Sequence, residues 1–316
     1  MTQLAVHPLF RIALLLAVLF SFVFSVQEGL GLKERIFYVV YDSYIKLKPR
    51  PASDQIIFVD IDDASLAEQG QWPWPRTIVA DLVTSLKSAG ARVIVFDGVL
   101  AEPDRTSPEN LPAYQTEQGA ASTIISHDEI LAQAIRDAGN FVAGFSYGSN
   151  PAPPEIKQNI LIKREHEDFF LRQKQPGSVY FATTAQFLPV LQKAAAGNGS
   201  FMASAESDSV IRQTGLIFHD GKQIYPSLML EALRLYSGKG DIPKIAAVKG
   251  YQNYSIDQPF HLVIGDYSIP LSPEGKMWVY FRDADYRREA IPAALFLKQD
   301  AQDPRGYGVD IKIGLL

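Results

Sequence analysis

The longest apolar stretch of the chain comes first: Leu9 to Val26 reads LFRIALLLAVLFSFVFSV and is broken only by Arg11 and two serines. A soluble helix keeps a polar face, and none exists from Ile12 to Phe20. The run therefore predicts a membrane-spanning helix near the minimum of about 20 residues that a hydrocarbon core of ~30 Å requires. Its exit, SVQEGLG, lacks an A-x-A-like cleavage site, so a retained anchor over residues 9–26 is expected. His7 and Arg11 precede it and Glu28 follows, a bias that leaves residues 1–8 in the cytoplasm and the bulk outside. Beyond it Leu32, Ile36, Val39, Val40 and Tyr44 recur at helical spacing and predict an amphipathic helix from Leu30 to Leu47, ending before Pro49.

The pattern then changes. Gln55 to Ile61 (QIIFVDI) is a short β-branched run suited to a strand buried on both faces. A helix is expected from Pro75, with the stripe Ile78, Val79, Leu82, Val83 and Leu86, stopped by Gly90; the strand Arg92–Asp97 follows at once. Strand, helix and strand at this spacing make a parallel crossover unit. Ser126 and Glu129 form a capping-box pattern opening a helix that Gly139 closes, and Asn140–Ser146 is the third strand.

Residues Gly148 to Gly177 are rich in proline and charge and read as a surface insertion, because the later elements offer too few buried-looking strands for a separate core. Leu216–Phe218 and Gln223–Tyr225 flank Asp220-Gly221 and predict a hairpin. Pro226 is expected to start a helix ending at Gly238; His261–Ile264, Tyr267–Leu271 and Lys276–Phe281 predict an antiparallel meander. The expected fold is α/β: a mixed, mainly parallel sheet with flanking helices and an antiparallel extension, preceded by one N-terminal transmembrane helix.

Composition narrows the function classes. With 47% hydrophobic and 21% charged residues among 316, the chain is a folded protein. A net charge of -5 without long basic blocks excludes nucleic acid as a partner, and the absence of cysteine removes disulfides, thiolate metal sites and cysteine nucleophiles.

Candidate chemistry lies at the carboxyl ends of the first two strands, the edge where parallel sheets bind ligands. Asp60, Asp62 and Asp63 close the first strand and Asp97 the second, while Arg76, at the start of the intervening helix, is placed to neutralise one of them. Between them lies QWPWPR. Each proline biases the preceding tryptophan to an extended backbone, so Trp72 and Trp74 are expected to point opposite ways, one capping the core and one covering the mouth. These seven residues are the candidate ligand-binding set. The competing reading is a self-satisfied salt-bridge cluster, with the tryptophans as packing. Asp208 and Arg212 read as a loop ion pair, and His127, His166, His219 and His261 as surface or capping histidines without metal-ligand spacing. No cofactor and no metal are implied.

The order of these motifs resembles the CHASE type 2 sensory domain (cyclases/histidine kinases associated sensory extracellular domain): an N-terminal hydrophobic helix, then IIFVDIDDASL, WPWPR, VIVFDGVLAEPD and HDEILAQAIRDAGNFVAG. SDSVIRQTGLIFHDGKQIYPSLMLEALRLY and GKMWVYFR fit the family's later segments, so the resemblance covers about residues 30–316. It implies an extracytoplasmic input module of a bacterial receptor in the cell membrane, binding an unknown small ligand or envelope protein. It admits a homodimer. Family receptors continue into membrane and output regions, which this sequence lacks, so no catalysis of its own is expected. Two alternatives compete. One is a structural or assembly subunit of an envelope complex; the other is a magnesium-dependent phosphatase, since FVDIDDAS resembles the D-x-D-x-T/V nucleophile motif of haloacid-dehalogenase-like enzymes, with Ala64 in place of Thr or Val.

Overall fold

The computed structural model describes residues 32–51, 55–110, 125–157, 160–172, 179–203, 205–206, 208–238, 243–247, 260–281, 290–298 and 313–315. The expected anchor at 9–26 lies outside the described residues, and among those described no helix is long and apolar enough to cross a membrane. The chain divides into two compact units.

In the first unit, helix α1 (Leu32–Leu47) carries Glu34 in its first turn and Lys46 in its last, each matching the sign of the helix dipole. Its apolar residues Ile36, Phe37, Val39, Val40, Tyr44 and Leu47 are exposed. Tyr280 meets Tyr44 edge-on, with ring centroids 6.3 Å apart. The Arg50 guanidinium lies 4.0 Å over the Tyr280 ring, and the Tyr280 hydroxyl donates to the Lys48 carbonyl.

The second unit opens with β1 (Ile56–Asp60), α2 (Asp63–Gln69), α3 (Arg76–Ser88), β2 (Val93–Val95), α4 (His127–Ala138) and β3 (Phe141–Asn150). It continues with β4 (Leu161–Ile162), α5 (Arg164–Leu171), β5 (Thr184–Gln186), α6 (Pro189–Ala194), β6 (Gly197–Ser200) and β7 (Gln213–Gly215). Then come β8 (Ile217–His219), β9 (Ile224–Pro226), α7 (Leu228–Ser237), β10 (Lys244–Ala247), β11 (Phe260–Ile264) and β12 (Tyr267–Leu271). Last are β13 (Lys276–Trp278), β14 (Ile291–Pro292), α8 (Ala293–Leu297) and β15 (Ile313–Leu315).

The main sheet runs β14-β1-β15-β2-β3, with β5 and β6 both paired to β3; every pairing is parallel except β3 with β5. This is the expected mixed, mainly parallel sheet. One neighbour was not anticipated: β15 lies between β1 and β2, with Leu315 in register with both Phe58 and Val95.

Side-chain alternation assigns the two faces. Val59, Ile94, Phe141 and Ala143 join Leu82, Val83 and Leu86 of α3 and Leu131 and Ile135 of α4 in the largest apolar cluster. On the other face Val93, Val95 and Val142 meet Leu228 and Ala232 of α7. Helix α7 comes close because β6 is built from Gly197-Asn198-Gly199-Ser200. A Cβ on Gly199 would stand 2.5 Å from the Leu228 Cα, inside any allowed contact. Gly199→Ala is expected to cost about 1–3 kcal/mol in urea unfolding, the range for overpacking; an unchanged midpoint would show that α7 has room to move.

The second half corrects three expectations. The hairpin is present as β8 and β9, but Pro226 closes β9, and Ser227 is the residue that caps α7, its hydroxyl accepting from the Leu230 N–H at 3.1 Å. β11 and β12 pair as an antiparallel hairpin, yet β13 hydrogen-bonds to β7 rather than extending a meander, since β7 offers it a free edge. The later strands also bury more than the sequence suggested. In the sheet β12-β11-β10-β4, Ile245, Phe260, Leu262 and Leu271 join Phe170 of α5 in an apolar cluster of their own. Residues 148–177 thus supply β4 and α5 to that sheet instead of only looping over the surface.

Candidate functional site

The expected group of aspartates is not one site. Asp60 and Asp97 do lie at the same edge of the sheet, but β15 separates their strands, which places them about 10 Å apart by strand spacing. Asp62 is the N-cap of α2: its Oδ1 accepts the Ser65 N–H at 2.8 Å. Asp63 is the first residue of that helix, exposed, and its charge favours the positive helix end.

Trp72 and Trp74 do not point opposite ways. Their rings meet edge-on at 5.8 Å, because residues 71–73 form a bend and strand alternation does not apply. Trp74 is 1% exposed and its Nε1 donates to the Gly70 carbonyl at 2.8 Å, while the half-buried Trp72 stacks on Phe96 at 6.3 Å. Both belong to the main core.

Arg76 does not reach the strand-end aspartates either. It is buried among partners the sequence reading did not single out: its Nε lies 3.4 Å from Asp128 Oδ1, its Nη2 donates to the Glu102 carbonyl at 3.0 Å, and its backbone N–H donates to Asp104 Oδ2 at 2.7 Å. Asp104 also accepts from the Thr106 N–H and hydroxyl, both at 2.8 Å, and pairs with His127 Nδ1 at 3.1 Å. Burial alone would raise the Asp104 pKa, but the Arg76 and Thr106 N–H groups, the Thr106 hydroxyl and His127 together hold it below the ordinary aspartate value. Asp128 in turn accepts from the Asp104 N–H at 3.1 Å. The cluster fastens the loop after β2 to the first turns of α3 and α4. Among the described residues no group of three or more His, Asp or Glu could hold a metal ion.

His127 is therefore a hydrogen-bond partner of Asp104 rather than a bare surface residue, and His219 is buried beside Tyr180 with ring centroids 5.5 Å apart. His261 is a surface residue, its Nδ1 at 2.7 Å from the Ser268 hydroxyl. Asp208 and Arg212 form the expected loop ion pair at 2.8 Å.

Of the seven candidates Asp97 is the one in the lining of the cleft beside α7. The cavity, about 470 Å³, opens on the α7 face of the main sheet between Ile56 of β1, Val95 of β2, Phe201 after β6 and the α7 flank Leu228, Met229, Leu233 and Tyr236, with Thr214 and Tyr267 closing it from the antiparallel part. Its size and its apolar wall with a few polar groups suit a small ligand. Desolvation raises the pKa of Asp97. Most of these residues escaped sequence reading because they come from six separate segments; the available signal was Met229, an apolar residue 55% exposed on the flank of a helix whose other stripe is buried.

A family model, the CHASE2 domain, matches residues 12–312. No curated protein and no solved structure matches the chain. The match takes in the strand-end aspartates, the tryptophan–proline segment, the buried ion-pair cluster and the cleft alike. The chain belongs to the CHASE2 domain family, the extracellular sensory domains of signalling receptors.

Proposed function

We propose that this chain is the membrane-anchored, extracytoplasmic input domain of a bacterial signalling receptor, and that the cleft beside α7 is where its stimulus binds. The observation that carries the reading is the cleft itself, set between α7 and the face of a mainly parallel sheet with the strand-end Asp97 in its lining, in a chain of a sensory family. Residues 9–26 hold it in the cell membrane and residues 30–316 make up the sensory body. The signal is a movement and not a reaction: the strand-end aspartates are separated, and the buried cluster holds loops.

Membrane fractionation tests the anchor. The full chain is expected in the membrane pellet after carbonate extraction, and a chain lacking residues 1–29 in the supernatant. Full-length protein released by carbonate would contradict the proposal.

A further inference from the structure

We propose that the cleft takes a small organic cation, an amine on an apolar body, with Asp97 as its counter-ion. The inference rests on the input-domain reading and names the ligand class of that same site.

Three features of the cleft point to this chemistry. The walls are mainly apolar, built by Ile56, Val95, Phe201, Leu228, Met229 and Leu233 around about 470 Å³, which selects a small hydrocarbon or aromatic body. The one acidic group on the wall is Asp97, and no basic side chain among the described residues pairs with it. Arg92, on the neighbouring edge of β2, is engaged elsewhere: its guanidinium stacks 4.5 Å over the Tyr236 ring and donates to the Tyr236 carbonyl at 2.9 Å. Two tyrosines complete the lining; the Tyr236 ring already carries the Arg92 guanidinium, which leaves Tyr267 as the aromatic ring for a ligand cation.

The alternatives fit less well. An anion would be repelled by Asp97, and a neutral apolar ligand would desolvate that carboxylate without giving it a partner. Asp97 is exposed in the free protein, and a cation bound beside it would offset the desolvation that a ligand brings.

The test uses the full chain in lipid nanodiscs and three matched probes: 2-phenylethylamine, 2-phenylethanol and 3-phenylpropanoate. Calorimetry is expected to show saturable amine binding at least ~10-fold tighter than the alcohol, with no binding of the acid, in the range tenfold discrimination implies. Asp97→Asn should bring the amine down to the level of the alcohol, and acidification toward the raised Asp97 pKa should weaken amine binding in the wild type only. Leu233→Trp, which fills the cleft, should abolish binding of both. Equal affinity for amine and alcohol, or an amine preference that survives Asp97→Asn, overturns the ligand class; if Leu233→Trp still blocks binding, the cleft remains a binding site. Absence of binding by all three probes overturns the inference. The membrane fractionation result decides the input-domain reading separately.

Discussion

Arg76→Ala is expected to cost about 3–5 kcal/mol of stability, the range for removing one partner of a buried ion pair. The arginine is 5% exposed and its partner Asp128 7% exposed, so its loss leaves that carboxylate with little water to turn to, while Asp104 keeps the backbone N–H of residue 76. Urea unfolding of the water-soluble chain lacking residues 1–29, if it folds as the full chain does by circular dichroism, gives the value directly. A loss below about 1 kcal/mol would place the pair with exposed salt bridges and contradict the assignment. The sign of the pH dependence follows from Asp104. Its folded pKa lies below the ordinary value, so its contribution is complete above the ordinary aspartate range near ~4 and disappears as pH falls through the depressed folded value. Arg76→Ala keeps the backbone N–H that Asp104 accepts and should leave that acid limb in place.

The second large effect is at Trp74. Removing a fully buried indole costs about 3–5 kcal/mol, and here the Gly70 carbonyl also loses its donor. Trp72→Ala should cost clearly less, because Trp72 is only half-buried and its contacts with Trp74 and Phe96 are at the edge of the core. Equal costs would show that Trp72 is as central as Trp74. Neither substitution is expected to alter ligand binding in protein that remains folded, since neither ring lines the cleft.

The first half of the fold was legible because its elements are long enough to show a period and carry their own end signals. Gly139 is in the left-handed region at φ 65° where a helix was expected to stop, and Ser126 caps α4 by accepting the Asp128 N–H at 3.3 Å. The capping box is only half made, though, for Glu129 pairs with Arg136 at 2.5 Å instead of reaching back. What escaped was short or distant in sequence. β15 has three residues, one of them Gly314, and nothing in a tripeptide tells which strands it will separate.

The site was legible in the same uneven way. Strand-end position marks Asp97 correctly, because parallel strands bring their carboxyl ends to one edge. It cannot distinguish a carboxylate that lines a cavity from one that caps the next helix, as Asp62 does, since that depends on whether a helix begins within two residues. The sequence pairs Arg76 with the strand-end aspartates, but its partners come from 26 and 28 positions away and, in the case of Asp128, from the next helix. The far wall of the cleft is built by α7, whose close seat on β6 depends on Gly199.

The account stands or falls on whether the α7 face looks out of the cell. The sequence has no cysteine, so Met229→Cys provides a single thiol at the exposed rim of the cleft. In intact spheroplasts a membrane-impermeant maleimide should label it fully before lysis. Labelling that appears only after the membrane is broken would place the domain in the cytoplasm and contradict the account.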